Sequence, residues 1–352
     1  MEEIIKKILE VAVYAPSGEN AQPWRFVVKG DQLSIFNIPE RDQSLYNHEQ
    51  KGSYVAHGTL IENIALVASQ EGYQIKVSLF PDTNNSDHVA VIGFEKSAQK
   101  NEPLYPYIKK RATNRKPYKD TPLTNEQLQE LKDACKEGEG VDVFFVQEKE
   151  KKEILGEAGS INERVMFTNK FIHNFFFDHV NWTKEEEEKK RVGFYIKTLE
   201  LPLPAQKAMK IFRHWPIMNV FNKIGLAKGI AKGNAKTYAS SSAMIAVAAN
   251  TDNPKDCIAA GRVMQRLWLT ATKLGLSAQP LTGVLFFMKK IAAGETKEFS
   301  QEHIKLITDA YKNINMTFGV QNKTIIVMMR IGEGGEPTAK ALRLEPIISS
   351  EN

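Results

Sequence analysis

Two short polar stretches carry residue types that could bind and orient a small molecule. The first, PSGENAQPW, spans residues 16–24, and the second, RATNR, spans residues 111–115. Guanidinium and hydroxyl groups are the donors that suit a phosphate monoester. A small kinked loop can bring backbone and amide donors close to a flat ring system. The chemistry open to these stretches is therefore phosphate binding by the second and ring binding by the first.

Each stretch also has an ordinary structural explanation when it is taken alone. RATNR alone would be the solvated basic start of a helix. Within the loop, Pro23 and Trp24 are expected to be structural, with Trp24 packing under the loop. Gln22 could either bind a ligand or brace the loop. The two stretches together are more specific than either one, because a composite site needs both.

Apolar periodicity predicts the elements that must position these stretches. Helices are expected over residues 2–14, 54–72, 151–167 and 254–276. Thr124 with Gln127 predicts a capping box at the start of a further helix. Residues 169–235 are irregular in pattern and rich in aromatic residues. Strands are expected at RFVVKG, QLSIF, IKVSLF, HVAVIGFE, VDVFFV, AMIAVAAN and IIVMMRIG.

An internal repeat connects the two halves of the chain. The segment at 57–73 aligns without gaps on the segment at 260–276, so that Gly58 meets Gly261 and Gly72 meets Gly275. A strand follows after similar spacing in each half. The alternative is a chance match between two amphipathic helices. The first half keeps the polar loop after its helix, whereas the second half keeps the basic motif before its helix.

Composition narrows the class of protein. The 352 residues carry a formal net charge of +5, which is too mild to favour nucleic acid as a partner. Two distant cysteines, Cys135 and Cys257, are expected to be free thiols in a reducing compartment. The seven histidines show no ligand spacing, so we expect no metal. With no apolar run of about 18 residues and no signal peptide, we expect no membrane partner and a cytoplasmic location.

The PSGxNxQPW loop paired with RxTNR resembles the FMN-dependent nitroreductase family. Members of that family are homodimers in which the basic motif of one subunit and the loop of the other complete each FMN site. Here the two pieces stand in reversed order and in different halves, which is similar to the single-chain Acg-like branch. The resemblance implies an α+β nitroreductase-like fold with two related halves, each a mainly antiparallel sheet packed by helices, forming an intrachain pseudo-dimer. The halves would be residues 1–100 and 101–352, with 169–235 as a lid insertion.

The resemblance also implies a set of cofactor-binding residues. Arg111 and Thr113 would hold the FMN phosphate and ribityl end, and Arg115 would lie near N1 and O2 of the flavin. The backbone at Thr282 or Gly283 would face flavin N5, although an acidic residue common at position 282 is absent here. The full implied set is Pro16, Ser17, Gly18, Asn20, Gln22, Arg111, Thr113, Asn114, Arg115, Gln279, Pro280, Thr282, Gly283, Lys340 and Arg343.

The function implied by the resemblance is an FMN-dependent oxidoreductase of the nitroreductase type. NAD(P)H would reduce FMN, and a small flat acceptor such as a nitroaromatic or quinone would then be reduced in a ping-pong cycle. The chain would complete its own flavin site as a monomer. The alternative is a flavin-sequestering protein, in which a lid over the flavin leaves little or no turnover.

Overall fold

The computed structural model describes residues 1–136, 138 and 140–350. In these ranges a five-stranded, a four-stranded and a two-stranded sheet lie among twelve α-helices. The helices are α1 (Glu2–Ala12), α2 (Lys51–Gln70), α3 (Asn125–Ala134), α4 (Lys149–Thr168), α5 (Lys170–Asp178), α6 (Lys184–Lys190), α7 (Leu203–Phe212), α8 (Trp215–Asn222), α9 (Leu226–Ala239), α10 (Pro254–Lys273), α11 (Gly283–Ala292) and α12 (Gln301–Phe318).

The strands form two main sheets of mostly antiparallel pairs. They are β1 (Trp24–Lys29), β2 (Gln32–Asn37), β3 (Tyr73–Leu79), β4 (His88–Lys96), β5 (Val141–Val146), β6 (Val180–Asn181), β7 (Phe194–Tyr195), β8 (Ala243–Ala249), β9 (Ser277–Pro280), β10 (Thr324–Gly332) and β11 (Ile348–Ser350). The first sheet has the order β11-β1-β2-β4-β3 and the second β5-β8-β10-β9. The predicted α+β class is confirmed.

The C-terminal tail crosses from the second sheet to the first. Strand β11 pairs in parallel with β1, so that Phe26 lies opposite Ile348. The end of the tail is therefore anchored as an edge strand of the first sheet. This crossing carries residues 340–343 past the polar loop that precedes β1.

Helices α2 and α10 cross where the predicted repeat places two glycines opposite each other. A Cβ atom built on Gly58 would lie 2.1 Å from the carbonyl oxygen of Ile258, and one built on Gly261 would lie 2.1 Å from that of Val55. Each carbonyl belongs to the residue three positions before the opposite glycine. The contact is thus two-fold related, as in an isologous interface between two copies.

One continuous apolar core joins the two halves across that crossing. It includes Ile8 of α1, Leu60 of α2 and Trp268 of α10, together with the inner faces of both sheets. Beside the glycine pair, Glu62 accepts ion pairs from Arg262 at 3.0 Å and from Arg266 at 2.7 Å. The division into residues 1–100 and 101–352 remains a prediction, because one apolar core contains residues from both parts.

The sequence pattern missed several helices. Residues 169–235, predicted to be irregular, contain α5 to α9, and residues 283–318 contain α11 and α12. Helix α12 begins with a capping box between Ser300 and His303, in which histidine takes the place of the usual Glu or Gln. The capping box at Thr124 is confirmed. Cys135 follows α3 as its C-cap and is half-buried. No helix in the described ranges is both long and apolar enough to cross a bilayer.

Candidate functional site

The PSGENAQPW loop is folded back on itself after helix α1. A single 3-10 turn covers Gly18–Asn20, and Glu19, Asn20 and Gln22 have left-handed φ values of 51°, 56° and 51°. The Ser17 hydroxyl accepts a hydrogen bond from the Gln22 backbone N–H at 2.9 Å. Non-glycine residues adopt this conformation only when their surroundings hold them there, and such residues concentrate at functional sites.

The amide side chains of the loop tie down two distant segments. Asn20 donates to the carbonyl oxygens of Arg191 at 3.0 Å and Leu342 at 2.9 Å. Gln22 donates to the carbonyl of Arg191 at 2.8 Å and accepts from the N–H of Leu344 at 2.8 Å. Gln22 therefore braces the loop against the tail, the second of its two expected roles. The Asn20 Oδ1 atom remains buried without a partner.

Pro16 and Gly18 are fixed by contacts behind the loop. The carbonyl of Pro16 accepts a hydrogen bond from the Thr59 hydroxyl of α2 at 3.0 Å. A Cβ built on Gly18 would lie 3.3 Å from a carboxyl oxygen of Asp42. The loop is thus held between α2 and the segment that follows β2, with little room for larger residues.

Arg111 lies in the interior between the two halves. It is 6% exposed, donates from Nη2 to the Tyr14 carbonyl at 2.9 Å, and its guanidinium lies 4.5 Å from the Trp268 ring centroid. Its Nε is buried with no hydrogen-bond partner. Burial, and then the positive charge of Arg343, lower the pKa of Arg111.

Arg343 reaches the same place from the C-terminal tail. Its Nη1 donates to the carbonyls of Ala341 and Leu342, and its Nε is also buried without a partner. Burial lowers the pKa of Arg343 to about 10. Two neighbouring guanidinium groups with unsatisfied donors are costly unless an anion lies between them. A phosphate group supplies the charge and the acceptor oxygens that this pair lacks.

Thr113 and Asn114 join the basic motif to strand β9. Thr113 forms an isolated parallel bridge with Ala278. The Asn114 side chain donates to the Ser277 hydroxyl at 3.0 Å and to the Gly335 carbonyl at 2.8 Å. Because the Asn114 amide is hydrogen-bonded to these protein groups, Asn114 acts as a brace. Of the two residues, Thr113 is therefore the one whose side chain could bind a ligand. The motif is thereby set beside residues 277–283.

The segment after α10 presents a helix N-terminus to this region. Gln279 accepts a hydrogen bond from the buried Arg330 at 2.9 Å, and Pro280 pairs with Met329. Thr282 is the N-cap of α11 and Gly283 is its first residue. The first N–H groups of a helix have no partner within the helix and favour negative charge. Thr282 and Gly283 therefore offer backbone donors at the start of α11; that these donors face a flavin remains a prediction.

Lys340 lies on the outside of the same tail. Its ammonium group is exposed and donates to the carbonyl of Lys110, next to the basic motif, at 2.8 Å. The Lys340 side chain therefore contacts the residue that precedes Arg111 but is not enclosed together with Arg111. Arg343 is the tail residue that points inward.

Arg115 lies beside a group of polar and ionisable side chains that no sequence motif marked, and we call the space among them the polar cleft. Its Nη1 donates to the Thr198 carbonyl at 2.9 Å. Burial lowers the pKa of Arg115, and the nearby Tyr238, Tyr118, Glu200 and Glu163 oppose that shift.

Two consecutive residues of α4, Asn162 and Glu163, line this cleft. A Cβ built on Gly283 would lie only 2.0 Å from the Asn162 Oδ1, so Asn162 packs directly on the first turn of α11. Glu163 accepts hydrogen bonds from the Asn162 amide at 3.0 Å and from the Tyr238 hydroxyl at 2.9 Å. Its second oxygen, Oε2, is buried without a partner, as is the Asn162 Oδ1.

Burial raises the pKa of Glu163, which favours a protonated carboxyl. Glu163 and Arg115 are both partly accessible to solvent, yet burial shifts the pKa of each toward its neutral form. That combination is expected of groups that line a narrow internal cleft. No motif marks Asn162 and Glu163 in the sequence; only their polar character within a mostly buried helix could have drawn attention to them.

Further acidic groups face the cleft from the first half. Burial raises the pKa of Glu19 well above its ordinary value, and the charge of Asp42 acts in the same direction. The Tyr46 phenol lies near both Glu19 and Glu163, and burial raises its pKa. Within the described ranges, no group of three His, Cys, Asp or Glu side chains could hold a metal ion.

One segment crosses all of these elements. Between β6 and α7, the carbonyl of Arg191 accepts from the polar loop, the carbonyl of Thr198 accepts from Arg115, and Glu187 accepts from the Leu342 N–H at 2.8 Å. Gly193 donates to the Glu19 carbonyl at 3.0 Å. We call residues 180–200 the crossing segment. It contacts the loop, the basic motif and the tail at once.

Comparison with known proteins gives a consistent result. Residues 108–333 match the family described as "Nitroreductase family". A Mycobacterium tuberculosis H37Rv protein provisionally named NAD(P)H nitroreductase Rv3131 is 29% identical over 123 residues, which cover 34% of this chain and 36% of that protein. The alignment therefore spans about a third of the relative's length.

Solved structures show only weak overall similarity to this chain. An FMN-dependent nitroreductase from Clostridium difficile R20291 is 15% identical, with a TM-score of 0.35 over 67% of this chain and 89% of its own. The FMN-dependent nitroreductase NfnB from Mycobacterium smegmatis, solved in complex with NADPH, is 12% identical, with a TM-score of 0.39 over 69% of this chain and 94% of its own. Similarity at this level carries no detail of the site.

Proposed function

Because the chain belongs to the nitroreductase family, we propose that it is an FMN-dependent oxidoreductase that uses NAD(P)H to reduce a small flat acceptor. The single observation that carries this proposal is the pair of inward arginines. Arg111 and Arg343 come from distant parts of the chain, and each keeps a buried Nε without a partner. A dianionic phosphate monoester at this place would satisfy both donors.

The remaining residues fit the rest of an FMN molecule. When bound, FMN would supply the two-electron chemistry, which side chains cannot perform alone. Thr113 offers a hydroxyl beside the arginines, and Arg115 would place positive charge at the edge of the ring where negative charge develops on reduction. The first backbone N–H groups of α11, at Gly283, would donate to the ring. Asn20 and Asn162 each retain a buried oxygen that could accept a ring N–H.

Glu163 is the group best placed to hold a proton in this cleft. Oε1 of Glu163 accepts from the Tyr238 and Asn162 donors, so a proton held by this carboxyl would lie on Oε2. Two-electron reduction of a quinone to a quinol, or of a nitro group to a nitroso group with loss of one water, consumes two protons. We propose that Glu163 donates one of these protons within the cleft, where water is restricted.

The site would be complete in one chain. The two-fold contact of Gly58 and Gly261 supports a fused pseudo-dimer in which each half contributes different walls of one pocket. We therefore expect close to one FMN per monomer. Measuring bound FMN by absorbance, with the oligomeric state by light scattering, tests this directly.

The alternative, a flavin-sequestering protein, is favoured by the crossing segment. Residues 180–200 hydrogen-bond to the loop, the basic motif and the tail, as a cover over the flavin would. Anaerobic addition of NADPH or NADH separates the two functions. Rapid bleaching of the flavin supports the oxidoreductase, whereas a flavin that stays oxidised in excess reductant contradicts it and supports sequestration.

A further inference from the structure

Residues 201–251 differ in charge from the rest of the chain. They contain seven of the 47 basic residues and none of the 42 acidic residues. The remainder of the chain carries a small net negative charge. This stretch covers helices α7, α8 and α9, and its cations have no acidic neighbours in sequence with which to pair.

The same stretch exposes apolar side chains at helical spacing. Ile217, Val220, Phe221 and Ile224 follow the i, i+3, i+4, i+7 pattern on and just after α8, and they are 36%, 60%, 40% and 80% exposed. On α7, two further large apolar residues, Leu203 and Ile211, are exposed. A helix normally buries such a stripe against its own protein. Here the only buried residue of α8 is Met218, which lies outside this stripe.

A row of lysines stands on the neighbouring helix. Lys228, Lys232 and Lys236 lie at i, i+4, i+8 on α9 and all three are exposed. The other side of α9, with Ala227, Ala231, Ala235 and Tyr238, is buried against α4. We call the exposed side chains of residues 203–236 on these three helices the cationic apolar surface.

The chemistry of this surface selects one kind of partner. Exposed aliphatic side chains flanked by lysines match the boundary between lipid headgroups and acyl chains, and lysines are attracted to anionic headgroups. A second copy docked through the same face would bring like charges together. Single-stranded nucleic acid would require aromatic side chains for base stacking, whereas this stripe is mainly aliphatic.

We propose that the cationic apolar surface docks the protein on an anionic lipid bilayer. The side chains of α8 would enter the headgroup boundary, and the lysine row of α9 would face the anionic headgroups. The expectation of no membrane partner was drawn from the lack of a spanning segment, and an interfacial helix pair does not need one. The proposal does not depend on the bound cofactor.

Docking would place the candidate site next to the bilayer. Helix α9 presents Lys236 to solvent, while Tyr238, two residues later, donates to Glu163 in the cleft. The helix therefore separates the proposed bilayer surface from the polar cleft by its own thickness.

Vesicle co-sedimentation of the full-length protein tests the proposal. Vesicles of phosphatidylcholine with about 30% phosphatidylglycerol are compared with pure phosphatidylcholine, at low salt and at 0.5 M NaCl. We expect binding to the anionic vesicles at low salt, and loss of binding in neutral vesicles or high salt. Failure to bind anionic vesicles at low salt would overturn the proposal.

Two variants locate the binding to this surface. The triple variant Lys228→Gln, Lys232→Gln, Lys236→Gln should lower the partition coefficient about a hundredfold, because each cation near the membrane contributes about fivefold. The variant Val220→Ser, Phe221→Ser, Ile224→Ser should also lose binding, and neither change touches a buried side chain. Thermal unfolding verifies that both variants fold.

A matched control removes the same number of lysines from a different part of the protein surface. The variant Lys297→Gln, Lys305→Gln, Lys312→Gln removes three exposed lysines outside the surface and should bind as the wild type does. If this control loses binding equally, the attraction is only a matter of net charge and the proposal fails. If light scattering shows a dimer that the α8 variant dissociates, the surface belongs to a second copy, which also contradicts it.

Discussion

Replacing Arg343 by methionine should change FMN affinity and the stability of the FMN-free protein in opposite directions. Methionine retains most of the length and packing of the side chain but removes its charge and donors. In the FMN-free protein, Arg343 is a partly buried cation whose charge lowers the pKa of the neighbouring Arg111. Removing it relieves that repulsion, whereas in the FMN complex it removes a phosphate contact.

The size of the stability effect follows from the lowered pKa. A fall in pKa from 12.5 to about 10 corresponds to at most about 3.5 kcal/mol, since one pKa unit equals about 1.4 kcal/mol. Allowing for partial exposure, we take about 1 to 2 kcal/mol. This cost is present at any pH below the folded pKa and disappears as pH rises toward 12.5, so it applies fully at pH 7. The FMN-free variant should melt about 2 to 4 °C higher.

The affinity effect has the opposite sign. A hydrogen bond to a charged partner contributes about 1.5 to 3 kcal/mol, so loss of the Arg343 contact should weaken FMN binding about 10- to 150-fold. Fluorescence quenching of FMN on titration with FMN-free protein measures this. Lys305→Met, which removes an exposed charge from α12, is the control. The phosphate assignment would be refuted if Arg343→Met bound FMN as tightly as the wild type. It would also be refuted if the FMN-free variant bound FMN more weakly and melted at a lower temperature than the wild type.

Three further changes test other parts of the account. Glu163→Gln should stabilise the protein at pH 8 but not near pH 4.5. The pKa of Glu163 is raised in the folded protein, so wild-type stability falls as pH rises above the ordinary carboxyl pKa of 4.5. A difference in melting temperature between variant and wild type that does not depend on pH would contradict this. Gly283→Ala should displace Asn162 and weaken FMN binding about tenfold with little change in melting temperature; retained affinity would argue against a ring beside α11. Gly58→Ala should cost at least about 3 kcal/mol, since its Cβ meets backbone, whereas Gly229→Ala on α9 has open space and should cost nothing; similar denaturation midpoints for the two would exclude the close crossing.

Much of the scaffold could be predicted because apolar residues recur with a clear helical or strand period along these segments. The strands of both sheets and the helices around Leu60 and Trp268 alternate or repeat strongly enough to be recognised. The ungapped match of Gly58 with Gly261 identified two positions that meet at the helix crossing, although the crossing itself was not predicted. Both glycines can be recognised in the sequence because the close helix contact leaves no room for a side chain at either position.

Other features left no usable pattern. Helices α7 and α8 expose part of their apolar residues, so their pattern does not show which side is buried. Strand β9 has four residues and a proline, too few for alternation to be seen. Asn162 and Glu163 belong to the cleft only because α4 packs on α11, a tertiary fact. The inward turn of Arg343 likewise depends on β11 pairing with β1 across the molecule.

The most direct test of the central claim is the flavin content of the purified monomer. One chain that completes its own site should show a flavin absorbance band near one FMN per chain, and the double variant Arg111→Ala, Arg343→Ala should lose it while still unfolding cooperatively. A colourless monomer that cannot be loaded with FMN, or a double variant that keeps its full complement, would contradict the account.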